Sequence, residues 1–182
     1  MKLVIASDIH GSAFWCRKLL DVCEKEQPDH LILLGDILYH GPRNDLPRDY
    51  APKQVIPMLG AWAEKILCVR GNCEAEVDQM VLNFPCLAEY AVLPVGDRLC
   101  YLVHGHNYGP DKLPPMMKGD LLMSGHIHIP VCREQDGVLL LNPGSVSIPK
   151  ENTPHSYMVL ENGTVEWKHV ENGEVYKRYV IE

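Results

Sequence analysis

Apolar runs in this sequence are short, four residues at 31–34 for example, whereas a membrane-spanning helix needs about 20. The N-terminus lacks a charged leader, an apolar stretch and a cleavage site in succession. Met1-Lys2 leads at once into a strand-like run with Asp8 close behind, so no signal peptide is expected and the cytoplasm is the expected compartment. Positive charge is in deficit, with 17 Lys+Arg against 24 Asp+Glu and a formal net charge of −7. That argues against a nucleic-acid coat held by counterion release, while a local basic pocket remains allowed. The seven cysteines (16, 23, 68, 73, 86, 100 and 132) contain no C-x-x-C pair. Reduced thiols are expected, and neither a disulfide framework nor a zinc knuckle.

What is present is an ordinary globular composition. At 182 residues, 46% hydrophobic and 23% charged, the chain suits one domain over residues 1–182 that buries roughly 70% of its unfolded surface. Residues 2–7 read as a buried strand. Ser12 is placed to cap a helix to about residue 26, with Trp15, Leu19, Val22 and Cys23 on its core face. A second strand is expected over 30–34, a long Pro-rich loop over 39–52, a helix over 53–63 and a third strand over 65–70. This β-α-β-α-β order predicts a parallel sheet with crossover helices. The second half reads as short strands at 90–94, 99–104, 120–124, 138–141, 156–160, 165–170 and 175–181. Asn162-Gly163 and Asn172-Gly173 are hairpin signals there. The fold class is therefore mixed α/β.

The chemistry lies where strands end. Asp8 and His10 follow the first strand, Asp36 the second after Gly35, and Asn72 the third after Gly71. His104 and the His126-x-His128 pair close two later strands, each beside a glycine. Ligands in such sheets gather at the carboxyl ends of the strands, so these seven side chains are expected to converge. Seven ligands are too many for one ion. If Asp36 bridges, eight bonds divide four and four between two ions, each with an open position. Carboxylate, amide and imidazole without thiolate suit Mn²⁺, Ni²⁺, Zn²⁺ or Fe²⁺ better than Ca²⁺. Mn²⁺ is favoured because open six-coordinate sites tolerate it.

The ordered set D-x-H (8–10), G-D (35–36), G-N (71–72), H-G-H (104–106) and G-H-x-H (125–128) resembles the calcineurin-like metallophosphoesterases. Within them it is similar to the small bacterial phosphodiesterases of the YfcE type. GDILYHGPRN (35–44), RGNCEAEVDQM (70–80) and NPGSVSIPK (142–150) carry the likeness across the chain. The resemblance implies a four-layer αββα sandwich with two mixed sheets. It implies one ion on Asp8, His10, Asp36 and His128 and another on Asp36, Asn72, His104 and His126. It further implies hydrolysis of a small-molecule phosphodiester by a metal-bridged hydroxide without a phosphoenzyme.

One position departs from that pattern. Many members read G-N-H-[DE], with a histidine that protonates the leaving group; here Cys73 and Glu74 follow Asn72. Two nearby cations should depress the Cys73 thiol, making it a poor acid and favouring good leaving groups, while His106 is an alternative proton donor. In the long loop, Arg43 can grip a phosphate oxygen bidentately, with Asn44 beside it, or both can be a solvated turn. Arg70 is as readily an ion-pair partner. The turn at 142–145 can orient a ligand histidine or simply pack. His30, His40, His155 and His169 read as surface or edge residues. A phosphomonoesterase or protein phosphatase on the same site, and a non-catalytic scaffold, are the competing readings. The scaffold would be expected to lose ligands, and this chain keeps all seven. Exposed strands in the second half suggest a homodimer or homotetramer.

Overall fold

In β1 (Lys2–Ala6) successive residues face opposite sides of the sheet, and both sides are buried. Val4 and Ala6 enter a core shared with the helices, while Leu3 and Ile5 enter a second core between two sheets. The same division holds in β2 (His30–Leu33), where Leu31 and Leu33 face the helices and Ile32 faces the second sheet. Burial on both faces is why these strands read as unbroken apolar runs.

The computed structural model describes residues 1–181. Between β1 and β2 runs α1 (Ala13–Glu26), capped as expected by Ser12, whose side chain accepts from the Trp15 N–H at 3.2 Å. Trp15, Leu19, Val22 and Cys23 are all buried. The next crossover is α2 (Pro52–Gly60), shorter than the 53–63 expected, with a 3-10 turn at Ala63–Lys65 leading into β3 (Ile66–Cys68). A short α3 (Glu76–Val81) follows, which the sequence pattern did not suggest.

The second sheet comes from β4 (Ala91–Val95), β5 (Arg98–Leu102), β6 (Leu121–Met123), β7 (Pro130–Gln135) and β8 (Val138–Pro143), in the order β4-β5-β6-β8-β7. Its β5-β6-β8 centre is parallel and both edges are antiparallel. The chain then returns to the first sheet as a meander of β9 (Ser156–Glu161), β10 (Thr164–His169) and β11 (Val175–Val180), giving the order β11-β10-β9-β1-β2-β3. Two mixed sheets thus face each other, as the family resemblance implied. Helices cover the first sheet, whereas the outer face of the second is covered by irregular chain. Tyr108, Leu113 and Met116 pack there on Val103, Leu122 and Leu140.

Asn162-Gly163 forms the expected two-residue hairpin, both residues having positive φ (49° and 74°). Asn172-Gly173 instead belongs to a longer loop, closed by the Gly173 N–H donating to His169 O at 2.8 Å. All seven cysteines are free. No helix among the described residues is long and apolar enough to cross a membrane.

Candidate metal centre

The carboxyl ends of β1, β2 and β3 from one sheet and of β5 and β6 from the other meet at a single edge, and all seven predicted ligands are there. They form two groups that share Asp36. In the first, His128 Nε2 lies 3.2 Å from Asp8 Oδ1, and His10 Nε2 lies 3.6 Å from Asp8 Oδ1 and 3.7 Å from Asp36 Oδ2. In the second, His104 Nε2 lies 3.5 Å from Asp36 Oδ1 and 3.0 Å from Asn72 Oδ1, with His126 Nδ1 at 3.2 Å.

The backbone bends sharply to bring them together. Asp8, His10, Asp36, His126 and His128 all lie in the left-handed region, with φ between 48° and 69°. A non-glycine residue seldom adopts it, and such strain gathers at functional sites where the surrounding structure over-determines it. The restraint here is visible. The Ser145 and Ser147 hydroxyls both donate to Asp8 O at 2.9 Å, and the His126 N–H donates to Asp8 Oδ2 at 3.0 Å. Gly71 is required by close approach, since a Cβ there would stand 2.2 Å from Asp36 Oδ1.

Three ligand histidines have a fixed tautomer. His10, His104 and His128 donate Nδ1–H to the carbonyls of Tyr39, Leu34 and Ile148 at 2.7, 2.6 and 2.8 Å. A carbonyl only accepts, so each neutral ring turns an Nε2 lone pair into the site. His10 Nε2 and His128 Nε2 then face each other at 3.2 Å, an arrangement that calls for a cation between them. Asp8 Oδ1 is buried and has no hydrogen-bond partner. An orphaned carboxylate oxygen beside convergent imidazole lone pairs fits a divalent metal.

Charge follows the same division. Burial alone would raise the Asp8 carboxyl, but the adjacent His10 and His128 imidazoles hold it well below the usual carboxylate range. Burial likewise works against a charged His104, yet its bond to Asp36 and the charges of Asp8 and Asp36 raise it to about 9. Burial and the neighbouring His104 lower His126 to about 4.

Glu74 is the residue that the ligand pattern alone did not bring forward. It is buried, and its carboxylate accepts from the Asp36, Ile37 and Gly71 N–H groups at 2.9, 2.7 and 2.5 Å. It ties the loop after β2 to the loop after β3, and hence Asp36 to Asn72. Its place three residues after Gly71 and two after Asn72 was the available signal.

A cleft of about 410 Å³ opens over the centre, and Arg43, Asn44, Cys73, Ile127 and Lys150 are among the residues lining it. Asn44 is anchored by donating to His40 O at 2.8 Å, while Arg43 makes no hydrogen bond or ion pair among the described residues. The Cys73 N–H donates to Asp36 Oδ1 at 2.9 Å. Burial, and then the Asp36 carboxylate, push the Cys73 thiol up, so the protein's own groups oppose the depression expected from cations. His106 is exposed and outside that lining, its ring 5.4 Å from His104 and 6.3 Å from His126. Arg70 is structural: it donates to Glu74 O at 3.2 Å and pairs with Glu89 at 3.7 Å. In the 142–145 turn, Asn142 donates to Gly125 O at 2.8 Å and so steadies the backbone just before His126. His155 stacks on Trp15 at 3.6 Å, and His40 is partly buried between Tyr39 and Tyr50.

Residues 1–164 match the model of the calcineurin-like phosphoesterase superfamily domain. The chain belongs to that superfamily. It is 45% identical over 162 residues to the phosphodiesterase YfcE of Escherichia coli K12, covering 89% of this chain and 88% of that protein. A solved structure of YfcE, described as a phosphoesterase from E. coli, superposes with a TM-score of 0.96 at 41% identity over the full length of both chains. Vacuolar protein sorting 29 from Cryptosporidium parvum shares the fold, with a TM-score of 0.63 and 18% identity over 98% of this chain and 97% of that one. The resemblance read from the motifs is thus borne out, and members of this superfamily use divalent metal ions.

Proposed function

We propose that this chain is a metal-dependent phosphodiesterase with a dinuclear centre, Mn²⁺ being the favoured metal, built within one domain spanning residues 1–182. Asp8, His10, Asp36 and His128 would hold one ion, and Asp36, Asn72, His104 and His126 the other. The observation that carries this reading is the buried, partnerless Asp8 Oδ1 facing imidazoles whose tautomers are fixed from behind. The likeness to YfcE supports the diester as substrate.

When bound, the ions supply an acidified water and positive charge for the phosphoryl oxygens. The chain's own groups do the rest. Arg43 is placed on the cleft wall to grip a non-bridging phosphate oxygen, with Asn44 held beside it. Carbonyl acceptors keep the ligand imidazoles from turning, so the geometry exists before substrate arrives. Cys73 lines the cleft where relatives of the G-N-H-[DE] type carry a histidine. Its weak acidity gives the leaving group little help, so good leaving groups are preferred. His106 is the second candidate donor. The expected substrate is a small-molecule diester, the expected compartment is the cytoplasm, and a homodimer or homotetramer is the assembly we expect.

The test is hydrolysis of bis-p-nitrophenyl phosphate and p-nitrophenyl phosphate by metal-stripped protein, with Mn²⁺, Ni²⁺, Zn²⁺ and Mg²⁺ restored in turn. Activity that returns with metal, favours the diester and is absent in Asp36→Ala is expected. A preference for the monoester would select the phosphatase reading. Two bound ions without turnover would select the scaffold.

A further inference from the structure

Lys150 ends the NPGSVSIPK segment at 142–150, and the structure gives it a defined position. Its backbone is pinned to a candidate ligand: His128 donates Nδ1–H to Ile148 O at 2.8 Å, and the Lys150 N–H donates back to His128 O at 3.1 Å. The Thr153 N–H and hydroxyl hold Lys150 O from the other side at 3.0 and 2.7 Å. Lys150 is exposed and among the residues that line the cleft, and its ammonium makes no hydrogen bond or ion pair among the described residues. Many other cations of this acidic chain are engaged. Lys2 and Lys168 pair with Glu26, Arg178 with Glu166, and Arg48 lies over Phe14.

Charge counting gives the spare cation a meaning. Two divalent ions, ionised Asp8 and Asp36, a hydroxide nucleophile and a singly charged diester sum to zero. The Glu74 carboxylate is taken up by three backbone N–H groups. Arg43 and Lys150 then stand in the cleft as positive charge in excess of what a simple diester needs. Ile127, between His126 and His128, is 39% exposed and adds an apolar surface to the same lining.

We propose that Lys150 forms a subsite for a second phosphate, so that the preferred substrate is a phosphodiester carrying a further phosphate on one arm. This rests on the diesterase reading and names its substrate class. Arg43 serves the scissile group, Lys150 receives the second anion, and Ile127 contacts the uncharged part between them.

The experiment compares thymidine 5′-(p-nitrophenyl) phosphate with the same ester phosphorylated at the 3′ position, which share a leaving group. In the wild-type protein kcat/KM should favour the phosphorylated ester about tenfold. The ratio should fall to about one in Lys150→Met, persist in Lys150→Arg, and shrink with added salt. Calorimetry of thymidine 3′,5′-bisphosphate against thymidine 5′-monophosphate should show the same ordering of affinity without turnover. A wild-type ratio near one, or a ratio undiminished in Lys150→Met, overturns the subsite and leaves the diesterase standing. No hydrolysis of either ester or of bis-p-nitrophenyl phosphate with any metal overturns the diesterase reading, and the calorimetric difference still decides the subsite.

Discussion

The two halves of the centre are built differently. Asp8, His10 and His128 are at most 2% exposed, and their backbones are held: serine hydroxyls donate to Asp8 O, the His10 N–H donates to Asp36 O, and His128 O accepts from the Lys150 N–H. Across Asp36, His104 is equally buried, but Asn72 is exposed and His126 only partly covered. Beyond its contact with His104, the Asn72 side chain finds only a long 3.4 Å approach to Cys73 Sγ. The closed half is an extension of the core that meets the cleft through the buried His128, whereas the open half borders it through Asn72 and His126. An ion in the closed half should be held tightly, and one in the open half should exchange readily where substrate arrives.

Asp36→Ala removes the element common to both halves and should cost the most, a loss of about 10³-fold or more in diester hydrolysis with both ions weakened. Next, Asp8→Ala and Asn72→Ala separate the halves. The first should lower metal content and thermal stability together, while the second should release one ion per chain and leave the melting temperature of the stripped protein nearly unchanged. Equal effects of the two on stripped-protein stability would break the distinction. Glu74→Gln turns one acceptor toward an N–H donor, so it should weaken the open-half ion by about 10–100-fold and cost about 1–3 kcal/mol of stability. Metal titration and chemical denaturation measure both.

Proton linkage sharpens the contrast in the metal-stripped protein. His104 is raised to about 9 from 6.5, so its contribution is complete below pH 6.5 and is lost as pH rises through 9. His126 is lowered to about 4, so its presence costs stability as pH falls from 6.5 toward 4. A melting-temperature profile should fall on both sides, with His104→Gln flattening the alkaline limb and His126→Gln the acid limb. The smallest effect expected is a gain: Cys73→His should raise turnover several-fold on diesters with poor leaving groups. A variant no faster than the parent would remove the acid argument and turn attention to His106.

Much of this was legible in the sequence because buried parallel strands and strand-end ligands leave local signatures. The apolar runs at 2–7 and 30–34 and the Ser12 cap needed no tertiary information. The β7 strand escaped because its residues alternate weakly and none of the six is fully buried. Its hairpin turn, Asp136-Gly137, carried the signal in two residues with positive φ (55° and 82°). The short α3 escaped because six residues hold too little periodicity to read. The ligands were legible through their glycines, but Glu74 was not, since its role is to accept N–H groups from two loops brought together only by the fold. Lys150 was hidden for the same reason: its place depends on hydrogen bonds with His128, far away in sequence.

The central claim is that two unequal half-sites share Asp36, and Mn²⁺ titration of the stripped protein followed by calorimetry and electron paramagnetic resonance tests it most directly. The account predicts two ions per chain in two distinguishable steps, with an exchange-coupled spectrum appearing in the second step and lost in Asn72→Ala. A single ion at saturation, or two ions with uncoupled spectra, would contradict it.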